Sequence, residues 1–324
     1  MTGSAAIIGA GQIGFAAATA FATAGWQVIV YARTRPRWLK GALSFEPYQL
    51  GEMSAPAADC VVDTLAFDAD DAARYDPAKV GRLIVVSSAS VYRDANGRTL
   101  DEAAQNGFPD LPVGMDEEQA TVAPGPETYS TRKIRMEQQA IRNFSERATI
   151  VRPCAIHGPH SRHPREWWFV KRLLDGRLRI PLALNGESRF QTTAAATIGA
   201  FAVHAAAHAL GGVYNLSDTV APSVRDIGEM VMARIEASTE LVGMDNYPAH
   251  QVGRTPWSIP APFVVSAEKA IRAGFAGAKL YHESAGPAVD WLRTVPVKGW
   301  EHAFPQLAAY PWDMFDYASE DALL

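Results

Sequence analysis

The chain has 324 residues, a length that predicts one large or two medium-sized domains with a sizeable core. Hydrophobic residues make up 48% of it and charged residues 20%, which is typical of folded globular proteins and excludes disordered or fibrous classes. Acidic residues outnumber basic ones by 35 to 30, for a net charge of -5. Because that charge does not attract phosphate backbones or anionic lipids, we expect neither nucleic acid nor a membrane as a partner.

The apolar segments give no indication of export or membrane insertion. The N-terminal run over 5–8 is too short for a signal peptide, and the alanine-rich stretch over 194–213 is interrupted by two histidines. Cys60 and Cys154 lie in apolar, strand-like segments, which indicates buried, reduced thiols. Together these features predict a cytoplasmic protein.

Short apolar strands alternate with helical segments through the first half of the chain. Each strand is a near-continuous apolar run, as expected for strands that are covered on both faces of a sheet. The order predicts an α/β fold with a Rossmann-type, doubly wound parallel sheet. The expected strands lie over 5–8, 28–31, 60–65, 83–87 and 149–152, and the expected helices over 13–24 and 129–144. Further on, a strand is expected over 213–216 and helices over 224–237 and 267–273.

A glycine-rich turn joins the first strand to the first helix. Its sequence, Gly9-Ala10-Gly11-Gln12-Ile13-Gly14, has the G-x-G-x-x-G spacing of dinucleotide-binding turns. Glycines allow the backbone to approach a pyrophosphate, and the N-terminus of the following helix offers free N–H groups to it. We therefore expect this turn to bind a dinucleotide.

The end of the second strand bears on which dinucleotide binds. A carboxylate there would accept the ribose 2′-hydroxyl of NAD(H), but the sequence has Ala32 followed by Arg33. Because a guanidinium suits a 2′-phosphate, NADP(H) is favoured, with NAD(H) as the alternative. No metal is expected, since glycine and proline prevent a helix from aligning the histidines at 157, 160 and 163.

Two further segments carry groups suited to proton transfer. Serines at 87, 88 and 90 follow the strand over 83–87, at the sheet edge where open α/β folds bind ligands. Tyr129 and Lys133 stand four residues apart, on one face of a helix. A nearby ammonium lowers the pKa of a tyrosine toward the range where it can exchange protons.

With these motifs the sequence resembles the extended branch of the short-chain dehydrogenase/reductase superfamily, the NAD-dependent epimerase/dehydratase family, as an atypical member. The segments that carry the resemblance are GAGQIG at 9–14, SSASVY at 87–92, YSTRK at 129–133, RPCAIHGP at 152–159, VYNLSD at 213–218 and SVRDIGEM at 223–230.

The resemblance implies a role for each matching residue. Tyr129 would be the general acid/base, Lys133 its partner and a ligand of the nicotinamide ribose, and Ser88 the hydroxyl that positions the substrate oxygen. The cofactor would be bound by Gly9, Gly11, Gln12, Ile13, Gly14, Arg33, Leu65, Ser87, Tyr129, Lys133, Pro153 and Ala155. The substrate would be bound by Ser90, His157, Arg162 and Arg189.

Three departures from the family pattern stand out. The family has a long helix between its fourth and fifth strands, whereas only residues 67–82 lie at that place in this sequence. Ala155 replaces the family's asparagine and His157 its tyrosine, and the paired aspartates expected after Arg189 are missing. The sequence therefore does not by itself indicate an ordinary UDP-sugar epimerase.

The chain after Pro153 is expected to bind the substrate. We expect an NAD(P)-binding domain over 1–155 plus about 190–222, and a substrate-binding region over 156–189 and 223–324. Residues 152–189 carry eight basic and three acidic side chains, a local net charge of +5. That charge suits an anionic substrate, but it could equally be a solvated surface or pair with the acidic residues over 301–324.

The sequence thus predicts hydride transfer at a carbinol carbon of a sugar-like small molecule. An epimerase would oxidise and then reduce with one retained cofactor, and an NADPH-dependent ketone or aldehyde reductase would stop after one transfer. A protein that binds a dinucleotide without catalysis is the alternative from another class, although such a protein needs no tuned phenol. The chain is expected to act as a monomer or homodimer.

Overall fold

The computed structural model describes residues 3–41, 43–246 and 251–324. The chain divides into two compact units. The first comprises residues 1–154, 195–217 and 265–278, and the second comprises residues 155–194, 218–264 and 279–324. The chain thus crosses from one unit to the other several times. The assignment of cofactor and substrate binding to separate domains stays a prediction.

The strands, in chain order, are β1 (Ser4–Ile8), β2 (Gln27–Ala32), β3 (Ser44–Pro47), β4 (Ala58–Asp63), β5 (Val80–Val86), β6 (Ala148–Pro153), β7 (Ala155–His157), β8 (Arg179–Ala183), β9 (Thr192–Ala194), β10 (Gly212–Leu216) and β11 (Glu240–Met244). The helices are α1 (Gln12–Thr23), α2 (Ala69–Ala73), α3 (Ala103–Asn106), α4 (Tyr129–Phe144), α5 (Trp167–Leu174), α6 (Ala195–Ala207), α7 (Val224–Ile235), α8 (Glu268–Arg272), α9 (Tyr281–Ser284), α10 (Gly286–Leu292), α11 (Trp300–Ala303), α12 (Pro305–Ala308) and α13 (Tyr317–Leu323).

The first unit is built on a seven-stranded sheet in the order β10-β6-β5-β4-β1-β2-β3, in which every pair of neighbours is parallel. The expected parallel, Rossmann-type sheet is therefore confirmed. Its central strands are buried along their length, as the continuous apolar runs predicted. In such a sheet all strands end at the same edge, so the segments after β1, β4 and β5 meet there.

Helices α1 and α6 form one pair beside this sheet, and α2 and α4 form another. α1 and α6 approach closely because Gly199 has no side chain, and a Cβ there would lie 2.6 Å from the Ala16 carbonyl oxygen. α4 buries Met136, Ala140 and Phe144 in a cluster that includes apolar residues of the central strands. Its N-terminus is capped by Thr128, whose hydroxyl accepts the Thr131 N–H at 3.2 Å.

β4 ends earlier than the sequence predicts. The expected strand over 60–65 stops at Asp63, because the carboxylate of that residue accepts the N–H groups of Leu65 at 2.7 Å and Ala66 at 2.8 Å. Such a side-chain to backbone turn replaces the ladder of a strand. α2 follows with only five residues, as the short segment over 67–82 indicated.

The second unit holds two small parallel pairs, β7 with β9 and β8 with β11. Its core is a cluster of aromatic and aliphatic side chains from α5, α7 and the C-terminal helices. Trp167 and Trp168 are fully buried in that cluster, so both indole rings pack in the core of the second unit. Within the described part of the chain, no helix is both long and apolar enough to cross a membrane.

Candidate functional site

The glycine turn lies between β1 and α1, and its three glycines have different neighbours. Gly9 has φ +104°, in the region that favours glycine, and a Cβ there would lie 2.3 Å from the Thr64 hydroxyl. At Gly14 a Cβ would lie 2.0 Å from the Gly9 carbonyl oxygen, so this glycine lets the helix pack on the turn. At Gly11 nothing lies within 4 Å of that position. The fold of the first unit therefore requires Gly9 and Gly14 but leaves Gly11 open.

The N-terminus of α1 has the features of a ligand-binding surface. The carboxamide oxygen of Gln12, the first residue of the helix, is buried and has no hydrogen-bond partner among the described residues. No acidic side chain lies in the first turn of α1. Because the first N–H groups of a helix lack internal partners, this end attracts an anionic group. The open Gly11, the buried Gln12 oxygen and the helix end together fit the pyrophosphate of a dinucleotide.

Two predicted cofactor residues lie at the neighbouring strand ends. Arg33 follows β2 and is exposed, and no ion pair links it to another described residue. Leu65 follows β4 with 46% of its surface exposed, next to the position where a Gly9 side chain would be. Ser87 and Pro153 are buried at the ends of β5 and β6. The indole N–H of Trp38, which the sequence did not single out, donates to the Ala10 carbonyl at 3.0 Å.

Ser88, Tyr129 and Lys133 lie together in the first unit. Ser88 follows β5, and its hydroxyl accepts the Ser90 N–H at 3.1 Å. Tyr129 begins α4 and Lys133 lies one turn further, with its ammonium nitrogen 5.7 Å from the Tyr129 ring centre. The structure thus places these three predicted residues at one edge of the sheet, and their catalytic roles stay a prediction.

The Tyr129 pKa differs from the lowering that the sequence predicts. Although 41% of the residue is exposed, burial of its phenol raises the pKa above 10, and the charge of Asp101 raises it further. The neighbouring Ser88 hydroxyl acts on the Tyr129 pKa in the opposite direction. The Lys133 ammonium is directed instead at two carbonyl oxygens, Ala66 at 2.7 Å and Val86 at 2.9 Å. At neutral pH the phenol therefore holds its proton.

Lys133 is buried, and burial lowers its pKa to about 8. The carboxylates of Asp63, Glu137 and Asp71 act in the opposite direction and favour the ammonium form. At neutral pH most molecules therefore carry a positive charge at this position. A buried charge of this kind is suited to binding polar groups of a ligand.

A network of buried hydrogen bonds lies next to Ser88 and Lys133, and it begins at Ser87 and at Glu137, one helical turn after Lys133. Glu137 accepts from the Ser87 hydroxyl and binds the Arg152 guanidinium through both carboxylate oxygens, at 3.0 and 2.6 Å. Arg152 also donates to the Tyr92 hydroxyl at 3.2 Å, and Tyr92 donates to Asn215 at 2.7 Å. The network ties α4 to β6 and β10. Satisfied buried networks of this kind hold side chains in one arrangement.

The predicted substrate-binding residues are divided between the units. Ser90, in the first unit, faces Ser130, with 3.1 Å between their hydroxyl oxygens. In the second unit, His157 is 1% exposed and its Nε2 lies 2.8 Å from the Asp218 carboxylate. Arg189 is half-exposed and donates to the Ala221 carbonyl at 2.8 Å, whereas Arg162 is exposed. The substrate roles of these four residues stay predictions.

Ala155 begins the second unit, and its N–H donates to the Gln191 carbonyl at 3.0 Å. A cleft of about 720 Å³ lies within the second unit, between α7 and the segment that carries α9 and α10. Its lining combines apolar side chains with three acidic residues, an arginine and a histidine, and no predicted site residue lines it: the polar members are Asp226, Glu229, Glu283, Arg234 and His282. Asp226 and Glu283 each accept a backbone N–H at the start of a helix, so helix capping accounts for both.

Solved structures with the same fold include an epimerase, assigned provisionally, from Burkholderia cenocepacia J2315. It is 19% identical, with a TM-score of 0.67 over 90% of this chain and 98% of that one. The chain has the fold of the epimerases and dehydratases. A UDP-glucuronic acid 4-epimerase from Bacillus cereus, in complex with UDP-glucuronic acid and NAD, is 14% identical, with a TM-score of 0.63 over 90% and 99% of the two chains.

A third neighbour is TunA, an NAD-dependent NDP-hexosamine 5,6-dehydratase involved in tunicamycin biosynthesis. It is 19% identical, with a TM-score of 0.63 over 91% of this chain and 99% of that one. No protein-family model and no curated protein sequence matches the chain. At these identities the comparisons confirm the fold that the resemblance implied.

Two residues at the site lie outside the sequence predictions. Asp63 and Glu137 are buried carboxylates, and the charges of both favour the ammonium form of Lys133. A signal for Asp63 was available, because a carboxylate at the end of a buried apolar strand points to the ligand-binding edge of the sheet. Glu137 follows Lys133 by one helical turn, so its position on the same face as Lys133 could also have been predicted.

Proposed function

We propose that the chain is an NAD(P)-dependent oxidoreductase of the epimerase/dehydratase type, acting on a carbinol carbon of a sugar-like, anionic small molecule. The proposal rests on Ser88, Tyr129 and Lys133 at the sheet edge that also holds the open glycine turn, with the Lys133 ammonium nitrogen 5.7 Å from the Tyr129 ring centre. The neighbours support the substrate class, since one is bound to UDP-glucuronic acid and another acts on an NDP-hexosamine.

The residues present fit a nicotinamide dinucleotide. The turn around Gly11 and the N-terminus of α1 would hold the pyrophosphate, and Lys133 would bind the ribose beside the nicotinamide. Arg33 favours a 2′-phosphate and hence NADP(H). Of the neighbours named above, the UDP-glucuronic acid 4-epimerase is in complex with NAD and TunA is NAD-dependent. When bound, the nicotinamide accepts or returns the two electrons and the hydrogen of a C–H bond.

Tyr129 would transfer the proton that accompanies oxidation or reduction of the substrate's carbinol carbon. In the reducing direction its phenol gives a proton to the substrate's carbonyl oxygen as the carbon becomes a carbinol, and in the oxidising direction the phenolate takes that proton back. Ser88 would hold the same oxygen by a hydrogen bond. Lys133, whose ammonium nitrogen lies 5.7 Å from the Tyr129 ring centre, would bind the ribose of the cofactor beside this phenol.

A reductase is the second candidate, and the state of Tyr129 favours it. Because burial raises the pKa of the phenol, the residue holds its proton at neutral pH, as the reducing direction requires. An epimerase keeps one cofactor through a complete cycle, whereas a reductase must exchange it. Native mass spectrometry of the purified protein separates the two, since a retained dinucleotide favours the epimerase and an empty site the reductase.

The test of the proposal is Tyr129→Phe. Loss of a positioned general acid/base should reduce hydride transfer from labelled cofactor to sugar nucleotides by about 10²–10⁴-fold. Dinucleotide affinity should be unchanged, because the phenol hydroxyl serves the substrate. Calorimetry with NADP(H) and NAD(H) provides that affinity, and NADP(H) is expected to bind more tightly.

Tyr214→Phe is the matched control, since this buried tyrosine lies in β10 and has no part in the proposed chemistry. It should retain wild-type transfer. Full transfer in Tyr129→Phe would contradict the proposed role. Dinucleotide binding without transfer to any substrate in the wild type would favour a non-catalytic binding protein.

A further inference from the structure

Asp63 is a fully buried carboxylate at the end of β4, and the proposed chemistry does not use it. One of its oxygens accepts the N–H groups of Leu65 and Ala66, and the other accepts the Tyr75 hydroxyl at 2.7 Å. Hydrogen bonds to both oxygens are the pattern of an ionised carboxylate. Burial raises the Asp63 pKa above its ordinary value, and these three donors together with the charge of Lys133 limit that rise without reversing it.

The turn that Asp63 holds leads directly to Lys133. Ala66, whose N–H bonds to Asp63, offers its carbonyl oxygen to the Lys133 ammonium at 2.7 Å. A second carbonyl, that of Val86, accepts from the same ammonium at 2.9 Å. Two neutral carbonyls do not neutralise a buried positive charge, so a nearby carboxylate is needed to stabilise it.

Three carboxylates and one phenol surround the Lys133 ammonium. Asp63 comes from the end of β4, Asp71 from α2, and Glu137 and Tyr129 from α4 itself. Asp63 has the largest effect of the three carboxylates. Glu137 is already bound to the Arg152 guanidinium through both oxygens, and Asp71 accepts the N–H groups of Phe67 and Asp68. Among the described residues, the hydrogen-bond donors to Asp63 are two backbone N–H groups and a phenol, and no arginine forms an ion pair with it.

We propose that Asp63 is the positioning residue of the site: its carboxylate holds the 63–66 turn under Lys133 and supplies the negative charge that keeps this lysine an ammonium. The inference deepens the proposed function and rests on it, since Lys133 is the residue assigned there to the dinucleotide. Tyr75 supports the arrangement by fixing the second oxygen of Asp63.

The test compares Asp63→Asn with the wild type in the absence of cofactor. The protein is labelled with ¹³C at the lysine ε-carbons, and the Lys133 signal is assigned by its loss in Lys133→Met. In the wild type the signal should titrate with a midpoint near the pKa of about 8. In Asp63→Asn the midpoint should fall by about one unit, because removal of a nearby negative charge destabilises the ammonium.

Asp59→Asn is the matched control, because Asp59 lies on the same strand and bonds to Ser4 but has no electrostatic effect on Lys133. Its midpoint should equal that of the wild type. Tyr75→Phe is the second variant, for use if Asp63→Asn does not fold. It leaves the carboxylate with fewer donors, so the Asp63 pKa rises and the Lys133 midpoint should fall by a smaller amount.

A second readout is dinucleotide affinity against pH. Affinity that depends on the ammonium is full below the Lys133 pKa and declines as the pH rises through it, so the decline should begin at lower pH in Asp63→Asn. An unshifted Lys133 midpoint in folded Asp63→Asn overturns the inference, even if the enzyme is active. If the midpoint shifts but no variant binds a dinucleotide, the proposed function fails and the pairing of Asp63 with Lys133 stands.

Discussion

At the scale of single residues, the glycines of the turn are present for two different reasons: packing of the fold and access of a ligand to the backbone. Gly14 is required by packing, because a side chain there would meet the Gly9 carbonyl oxygen. Gly11 has open space around it and φ -79°, which any residue can adopt. The fold itself therefore gives no reason for glycine at position 11, and the approach of a ligand to the backbone does.

We expect Gly11→Ala to fold normally and to lose dinucleotide affinity. The added methyl group occupies the space at the end of α1, and its cost as a helix cap is below about 1 kcal/mol. Gly14→Ala should instead lower the free energy of unfolding, because strand and helix must separate to admit the methyl group. Thermal melting and calorimetry with NADP(H) on both variants provide the two measurements. Wild-type affinity in Gly11→Ala would show that no ligand approaches this residue.

The candidate site was predictable where a local motif carries it. The glycine turn, the serines after β5 and the Tyr129–Lys133 pair each occupy a few consecutive residues, so their spacing is visible in the sequence. The pairing of Asp63 with Lys133 joins positions 70 residues apart, and only the sheet brings them together. The contact between Arg152 and Tyr92 likewise joins distant positions. The raised pKa of Tyr129 was not predicted because it follows from burial of the phenol, which the local motif does not show.

At the scale of elements, the strands with continuous apolar runs were predicted and the others were not. β1, β2, β4, β5, β6 and β10 match the expected segments, and α4 has the expected bounds. The edge strand β3 is short, mostly exposed and ends in proline, so it lacks an apolar run. The paired strands β7 and β9 have three residues each, too few to show a period.

The C-terminal helix α13 shows how a charged residue can fix an element. The Arg172 guanidinium is buried, lies 3.6 Å from the Trp168 ring centre and pairs with Glu320 of α13. It also donates to the carbonyl of Trp168 at 2.8 Å and to that of Met314. Arg172 of the basic segment over 152–189 thus pairs with an acidic residue of the segment over 301–324, which is one of the alternatives that the sequence left open.

We expect Glu320→Gln to lower the free energy of unfolding by about 3–5 kcal/mol, because it leaves the Arg172 charge buried without its partner. Denaturant unfolding measures the change. Asp321→Asn is the control on the same helix: its pair with Arg177 is exposed on the Asp321 side, so the free energy of unfolding should stay nearly unchanged. Equal stabilities of Glu320→Gln and the wild type would show that α13 docks by apolar contacts alone.

At the scale of the whole molecule, the charge between 152 and 189 is largely neutralised by partners within each unit. Arg152 pairs with Glu137, Lys171 with Asp175, Arg172 with Glu320, Arg177 with Asp321 and Arg179 with Glu240. The net charge of +5 counted from the sequence therefore exceeds the unpaired positive charge that could attract an anionic ligand. Arg189, which lies 3.8 Å from Asp226, and Arg162 are the predicted substrate residues with exposed guanidiniums.

An anionic substrate should therefore depend on a few short contacts and not on a diffuse field. A charge-assisted hydrogen bond contributes roughly 1.5–3 kcal/mol, so Arg189→Ala should raise the dissociation constant of a sugar nucleotide by about 10–150-fold. Cofactor affinity should not change. Arg179→Ala is the matched control, since this arginine of the same segment is similarly exposed and also lies beside a carboxylate, that of Glu240, but is not a predicted substrate residue. Calorimetry with anionic and neutral sugar analogues distinguishes the alternatives: if both variants bind every analogue as the wild type does, the arginines serve the surface of the second unit and the substrate is recognised without them.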